Sequence, residues 1–225
     1  MNTGQRIRRG VVSQFRNPTG VGGHVAGWIM SHRPSNIARS RWAVGLLDIQ
    51  PGERVLELGC GPGVALAAIA DRVEDGVVVG VDQSLVMIRY ARRRNVAAIA
   101  AGRVDLVCVT VEDLLPVDNN GRQSVRASSQ PFNKPFDAVL AVNNVGFWDQ
   151  PGLRLAGLRD LTHSGARIAL VTQPRCPGAT AATSQASAAE LADLLGNAGY
   201  TVITRATLDL DPPAVYVQAT VTGRH

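Results

Sequence analysis

Short apolar runs alternate with stretches of helical spacing along most of the chain. Seven of these runs are bounded by glycine, proline or polar residues and have the length of buried strands. The predicted strands are residues 54–58, 77–81, 104–109, 136–142, 166–172, 201–207 and 215–221. The predicted helices are residues 35–48, 64–71, 84–95, 151–161 and 184–197, with Ser35 and Ser84 as N-caps.

The alternation of strands and helices predicts one α/β domain with a mostly parallel sheet and helices on both faces. Few residues separate the last two predicted strands, so we expect the last strand to run antiparallel. A chain of 225 residues, 45% apolar and 18% charged, is long and apolar enough to bury such a core.

The segments outside this pattern differ in character. Residues 1–20 lack periodicity and predict a flexible arm, and residues 21–50 contain the first predicted helix. The stretch 116–135 is polar and rich in serine, asparagine and glutamine, which predicts a surface insertion in a main domain that spans residues 51–225.

Several kinds of protein are disfavoured by the composition. No run approaches the roughly 18 apolar residues of a membrane span, and the N-terminus lacks the apolar core of a secretory signal. The three cysteines are widely spread, which argues against a disulfide framework and a metal site. Cys108 lies in a strand that looks buried, which predicts inert packing. We therefore predict a cytoplasmic protein without a metal centre.

The net charge of +5 is unevenly distributed. Seven arginines precede Asp48, and all 18 acidic residues lie at or after it. The basic character therefore belongs to the N-terminal segment, and the rest of the chain is slightly acidic. Such a segment favours an acidic substrate, transient contact with a membrane surface, or nucleic acid.

The most informative local motif is VLELGCGPG at residues 55–63, between the first predicted strand and a helix. Glycines permit a tight turn and close approach of a ligand to the backbone. The spacing Gly-x-Gly-x-Gly differs from the Gly-x-Gly-x-x-Gly of nicotinamide sites, and Glu57 would repel a pyrophosphate but suit an ammonium group. Asp82 ends the second strand, where a carboxylate can accept hydrogen bonds from both ribose hydroxyls. Together these features favour S-adenosylmethionine over NAD.

VLELGCGPG resembles the first motif of the class I S-adenosylmethionine-dependent methyltransferases, and VVVGVDQS resembles their acidic second-strand motif. VTVEDLLP, FDAVLAVNNVGFWDQP and LAGLRDLTHSGARIALVTQ resemble later blocks of their small-molecule, ubiquinone/menaquinone-methylase-like type. The resemblance implies a Rossmann-like doubly wound sheet and S-adenosyl-L-methionine as cofactor, with S-adenosyl-L-homocysteine as product. It also implies that residues 21–50 form an N-terminal lid and helix over a cofactor-binding domain.

The resemblance assigns one set of residues to each part of the cofactor. The methionine part would be held by Glu57, Gly59, Cys60, Gly61 and Gly63. The ribose would be held by Asp82, and the adenosine would be flanked by Gln83 and Met87. The adenine edge would meet Val111, Glu112 and Asp113, while Asn143 would lie near the transferable methyl group.

Methyl transfer is an in-line displacement that positioning and desolvation can accelerate, and a general base helps when the nucleophile loses a proton. His24 and Asn143 are the catalytic candidates. His163 precedes the fifth strand, at the opposite end of the sheet, which excludes it. Four residues are candidates for the acceptor site: Trp28, His32, Phe147 and Trp148.

The leading hypothesis is methyl transfer to a small hydrophobic or aromatic acceptor. An RNA or DNA methyltransferase that uses the basic N-terminus is an alternative, but Asn143-Asn144-Val145-Gly146 lacks the prolines of the Asn-Pro-Pro-Tyr block of nucleic-acid amino methylases. A regulatory protein that binds the cofactor without transferase activity is a third reading. Nothing in the sequence specifies an oligomeric state.

Overall fold

In a computed structural model, residues 33–116 and 130–221 are described, and they form a single seven-stranded sheet. The strands are β1 (Arg54–Leu58), β2 (Val77–Asp82), β3 (Val104–Cys108), β4 (Phe136–Val142), β5 (Thr162–Thr172), β6 (Tyr200–Leu208) and β7 (Ala214–Val221). Their order across the sheet is β3-β2-β1-β4-β5-β7-β6. β7 pairs antiparallel with both β5 and β6 and so runs opposite to the other six strands, which share one direction. The predicted α/β class and the reversed last strand are confirmed.

Helices surround the sheet. They are α1 (Pro34–Leu46), α2 (Val64–Ala70), α3 (Leu85–Arg94), α4 (Val96–Ala100), α5 (Val111–Leu114), α6 (Pro151–Leu158) and α7 (Ala181–Asn197). Short 3-10 turns cover Val145–Phe147 and Arg159–Leu161. Within the described ranges, no helix is both long and apolar enough to cross a membrane.

The central strands are buried on both faces, which explains their nearly continuous apolar sequences. On one face, Leu56 and Val139 belong to a core that includes residues of α5, α6 and α7. On the other face, Val55 and Leu140 belong to a core that includes residues of α1, α2 and α3. Successive residues of a strand point to opposite faces, so each central strand contributes to both cores.

Some element boundaries differ from the prediction. Ser35 is not an N-cap, because the helix already begins at Pro34, whose fixed φ suits the first helical position, and Arg33 precedes it. β5 begins at Thr162 rather than at residue 166, and α4 was not predicted. Cys108 is exposed rather than buried, because β3 is an edge strand.

The N-terminal arm, most of the predicted lid and residues 117–129 of the predicted insertion lie outside the described residues. The division of the chain into arm, lid and main domain therefore stays a prediction. After the gap, Phe132 is buried and packs edge-on against Phe136, with ring centroids 6.3 Å apart. The C-terminal part of that polar stretch thus contributes to the core.

The strand order reverses between β1 and β4, since β2 and β3 lie on one side of β1 and the later strands on the other. A crevice forms at the carboxyl ends of the strands at such a point, because the connections leave in opposite directions. The glycine turn that follows β1 and the asparagines that follow β4 meet at this crevice.

Gly76 tests the packing at the end of β1 and β2 that lies away from the crevice, and Gly45 in α1 provides the comparison. A Cβ at Gly76 would overlap the backbone carbonyl of Glu53, whereas a Cβ at Gly45 in α1 would meet nothing within 4 Å. We expect Gly76→Ala to destabilise the fold by about 1–3 kcal/mol. Gly45→Ala should stabilise it by about 0.5–1 kcal/mol, because alanine favours the helix. Urea unfolding measures both, and a neutral Gly76→Ala would contradict the assigned contact.

Candidate functional site

A cavity of about 750 Å³ opens at the carboxyl edge of the sheet. Its walls come from the turn after β1, the end of β2, the start of α5, the segment after β4 and the N-terminal half of α1. The volume lies within the range of small-molecule sites, roughly 300–1,000 Å³. The crevice predicted by the topology is therefore a real concave site.

The turn after β1 is shaped by glycines in the left-handed region. Gly59 has φ +64°, and a Cβ there would overlap the side-chain amide of Asn144. That amide donates a hydrogen bond to the carbonyl of Leu58 and so joins the end of β4 to the end of β1. Gly61 has φ +52° and nothing within 4 Å of the position of a Cβ, so the backbone there lies open to the cavity.

Asp82 is oriented by the backbone on both sides. Its Oδ2 accepts from the amide of Gly61 at 2.9 Å, and its Oδ1 accepts from the amide of Ser84 at 2.8 Å. Burial raises the pKa of Asp82, and these two hydrogen bonds act in the opposite direction. Ser84 is the N-cap of α3, as predicted, so Asp82 is not needed for capping.

Glu57 is a charged side chain inside the core. It is 3% exposed, it lines the cavity, and its Oε2 is buried without a hydrogen-bond partner among the described residues. Burial raises the pKa of Glu57 well above its ordinary value, and the nearby charge of Asp82 raises it further, while a backbone hydrogen bond from Leu66 lowers it. A cation in the cavity would relieve both penalties.

The segment after β3 forms another wall. Thr110 caps α5 by accepting from the amide of Asp113 at 2.9 Å, and its hydroxyl donates to the Asp113 carboxylate at 2.8 Å. These bonds hold the exposed Asp113 outside the cavity lining, whereas Val111 and Glu112 lie in it. Glu112 accepts from the amide of Asp149 at 2.9 Å and thereby connects this wall to the segment after β4.

Asn143 stands at the end of β4 in an uncommon backbone conformation, with φ +56°. Its backbone amide donates to the carbonyl of Val171 at 2.8 Å, and its side-chain Oδ1 accepts from the backbone amide of Gln173 at 2.7 Å. These bonds to β5 and the residue after it hold the side chain at the cavity wall. Phe147 and Trp148 follow on the same wall; Phe147 is exposed and Trp148 is buried.

The structure brings most of the predicted site residues to one cavity. Those that line it are Glu57, Gly59, Cys60, Gly61, Asp82, Gln83, Met87, Val111, Glu112, Asn143, Phe147 and Trp148. Gly63 lies outside the lining as the N-cap of α2, and Asp113 lies outside it because it is bonded to Thr110. His24, Trp28 and His32 fall outside the described residues. His163 is at the far end of the sheet, where its Nε2 lies 2.8 Å from Asp137.

Sequence reasoning missed several residues of the cavity wall. Asn144 fills the space that Gly59 leaves, and Arg33, Arg39 and Arg175 face the cavity from α1 and from the segment after β5. The paired asparagines after β4 were a usable signal for Asn144. No local pattern singles out the arginines, because arginine is common throughout this chain.

Comparison with known proteins agrees with this geometry. The sequence profile of the family described as "Methyltransferase domain" matches residues 55–165, which span β1 to the start of β5 and carry the glycine turn and Asp82. Residues 55–165 thus form a methyltransferase domain, and the fold of the chain is that of the class I S-adenosylmethionine-dependent methyltransferases.

Relatives of this methyltransferase share both sequence and fold. It is 26% identical over 154 residues to the uncharacterized methyltransferase YdaC of Bacillus subtilis, a match that covers 67% of this chain and 72% of that protein. It is 32% identical over 127 residues to trans-aconitate 2-methyltransferase of Rhodococcus jostii, covering 51% of this chain and 46% of that protein. A Haloferax volcanii methyltransferase, solved with the activator Trm112, has a similar fold, with TM-score 0.68, 15% identity, and coverage of 90% and 95%.

The buried carboxylate of this methyltransferase should oppose folding when its cavity is empty. We expect Glu57→Gln to raise the melting temperature near pH 7, because glutamine carries no charge and an uncompensated buried charge costs at least the roughly 1–3 kcal/mol of an unpartnered polar group. The pKa of Glu57 is raised in the folded protein, so the penalty grows as pH rises above the unfolded value of about 4.3 and levels off above the folded-state value. Melting curves between about pH 5 and 8 should show the gap between variant and wild type widening with pH.

Glu53→Gln is the matched control. Glu53 accepts from Arg167 at 2.5 Å and from the amide of Gln50 at 2.9 Å, so the same substitution there should lower the melting temperature. A loss of stability in both variants would contradict the assignment of Glu57 as a carboxylate without a partner.

Proposed function

We propose that this methyltransferase transfers a methyl group from S-adenosylmethionine to a small hydrophobic or aromatic acceptor in the cytoplasm, mainly by positioning the reactants. The observation that carries the proposal is the buried Glu57 carboxylate, whose Oε2 has no partner among the residues that the structure describes. It lines the same cavity as the open backbone of Gly61 and the oriented carboxylate of Asp82.

These residues fit the cofactor. Glu57 would accept from the ammonium group of the methionine part, which supplies the missing partner and the missing positive charge. Asp82 would accept from the ribose hydroxyls, since its carboxylate is already fixed by two amides. The side chains of Met87 and Val111 are buried, line the same cavity and would flank the adenine.

When bound, S-adenosylmethionine supplies an electrophilic methyl group on a sulfonium, so the chain itself has to hold and align an acceptor. Asn143 would orient the acceptor from the end of β4, because its side chain is fixed by Gln173. Val142, Phe147 and Trp148 would exclude water around the reacting atoms. No histidine lines the cavity among the described residues. This supports catalysis by alignment of the reactants rather than by a histidine base from this part of the chain.

The proposal for the acceptor class is supported by the cavity and by the names of relatives. About 750 Å³ is space for two small molecules rather than for a polymer segment. Trans-aconitate 2-methyltransferase of Rhodococcus jostii and demethylmenaquinone methyltransferase of Corynebacterium kroppenstedtii, which is 40% identical over 60 residues, are both named for small acceptors.

Cofactor binding should depend on the Glu57 charge. We expect S-adenosylhomocysteine to bind Glu57→Gln roughly 10- to 100-fold more weakly than wild type, the loss of one charge-assisted hydrogen bond. Because the pKa of Glu57 is raised in the empty protein and a bound ammonium would lower it, binding to wild type should release protons and strengthen as pH rises. Calorimetry in buffers of different ionisation enthalpy measures affinity and proton release together.

Glu53→Gln again serves as the control and should bind S-adenosylhomocysteine as wild type does, because Glu53 lies at the other end of β1. Failure of the folded wild-type protein to bind either S-adenosylmethionine or S-adenosylhomocysteine would refute the proposed function.

His24, Trp28 and His32 stay predictions for the acceptor side, as part of the lid proposed for residues 21–50. α1 already contributes to the cavity wall from that segment. If positioning dominates, His24→Ala should lower kcat by less than about tenfold on any acceptor methylated in a panel of phenols and carboxylic acids. A loss of about 10²-fold or more with a changed pH profile would instead identify His24 as a general base.

A further inference from the structure

Three arginines form a cluster where the cavity meets α1 and the segment after β5. Arg33 precedes α1, Arg39 lies within it and Arg175 follows β5, and all three line the cavity. We call Arg33, Arg39 and Arg175 the arginine cluster. Arg39 is 5% exposed, and its Nη1 donates to the Oε1 of Gln173 at 2.7 Å.

One amide oxygen holds two of these guanidiniums together. Asn36 Oδ1 accepts from Nη2 of Arg39 at 2.9 Å and from Nη2 of Arg175 at 3.3 Å. Burial, together with the charges of Arg175 and Arg33, lowers the pKa of Arg39 to about 10. Arg39 therefore remains charged at neutral pH, and the three positive charges of the cluster repel one another.

No carboxylate compensates the cluster within the described ranges. The ion pairs found there join other residues: Arg154 with Asp149, His163 with Asp137, and Arg167 with Glu53. The Nε of Arg39 is buried and has no hydrogen-bond partner in the described part of the chain. Outside the described ranges, residues 1–32 contain no acidic side chain, and Asp118 is the single acidic residue of 117–129.

A buried charge without an opposite partner is unfavourable, and a guanidinium matches the planar geometry of a carboxylate. We propose that the arginine cluster binds a carboxylate group of the methyl acceptor, so that the acceptor is an organic acid with an apolar or unsaturated body. This inference rests on the proposed function. It adds that the acceptor carries a negative charge on the side of the cavity opposite to Asp82.

The position of the cluster separates it from the proposed cofactor groups. Gln173, which holds Arg39, follows β5, whereas Glu57 and Asp82 end β1 and β2. Strands are about 4.8 Å apart, and β5 lies two strands from β1, so this anchor is roughly 10 Å from the end of β1. Gln173 also donates its amide to Asn143, which places the cluster next to the residue expected near the methyl group.

The direct test is anion binding to the protein saturated with S-adenosylhomocysteine, at constant ionic strength. The probes are trans-aconitate and citrate as carboxylates, trimethyl trans-aconitate as the uncharged match, and inorganic phosphate as another anion. We expect both carboxylates to bind, the ester to bind at least tenfold more weakly, and Arg39→Gln and Arg175→Gln to weaken carboxylate binding at least tenfold. The exposed Arg93 on α3 gives the control variant Arg93→Gln, which should behave as wild type.

Arg175→Gln keeps the test informative if Arg39→Gln fails to fold, because Arg175 is exposed and outside the core. Carboxylate binding that is absent, equal to that of the ester, or unchanged in Arg175→Gln would overturn the proposal. Tighter binding of phosphate than of both carboxylates would overturn the assignment to an organic acid.

A second measurement distinguishes the acceptor from the amino-acid carboxylate of the cofactor. Affinities of S-adenosylhomocysteine and of 5′-methylthioadenosine, which lacks that carboxylate, are compared in wild type and in both variants. We expect each affinity to change less than about threefold. A tenfold loss for S-adenosylhomocysteine alone would assign the cluster to the cofactor and overturn the proposal. Absence of S-adenosylhomocysteine binding in wild type would instead refute the proposed function, whatever the carboxylates do.

Discussion

The burial of Glu57 at the end of β1 is the constraint around which the cavity is organised. β1 is packed between β2 and β4 and covered on both faces, so its carboxylate cannot reach solvent by moving outward. The Asn144 amide fills the space at Gly59 in the turn that follows, and Asp82 adds a second negative charge near Glu57. Within the described part of the chain no opposite charge compensates it, so a cation that entered the cavity would stabilise the folded protein.

The reversal of strand order then gives the cavity two electrically different sides. The acidic side stands at the ends of β1 and β2, with Glu57 and Asp82, and the basic side stands at α1 and after β5, with the arginine cluster. Asn143 and Asn144 lie between them at the end of β4. A cationic methyl donor and an anionic acceptor would thus each be held by the opposite charge while their reactive parts face each other.

Patterns in the sequence predicted most of the secondary structure, because buried parallel strands are nearly all apolar and because Ser84 and the glycine turn mark local boundaries. The differences arose where tertiary contacts extend an element. β5 begins at Thr162 because Thr162 pairs with Phe136 of the neighbouring strand, a contact that no local pattern encodes. Cys108 is exposed because β3 has no neighbour on one side.

The sequence by itself determined the α/β class, the glycine turn with Glu57, and the acidic end of β2, because these depend on residues close together in the chain. Only the tertiary structure decided that Asn144 fills the space at Gly59, that Asp113 turns away to Thr110, and that the arginine cluster faces the cavity. Arg39 and Gln173 are 134 positions apart, so their contact exists only once α1 has packed beside the end of β5. Charge on a chain is a local property, but its placement around a ligand depends on how distant segments pack.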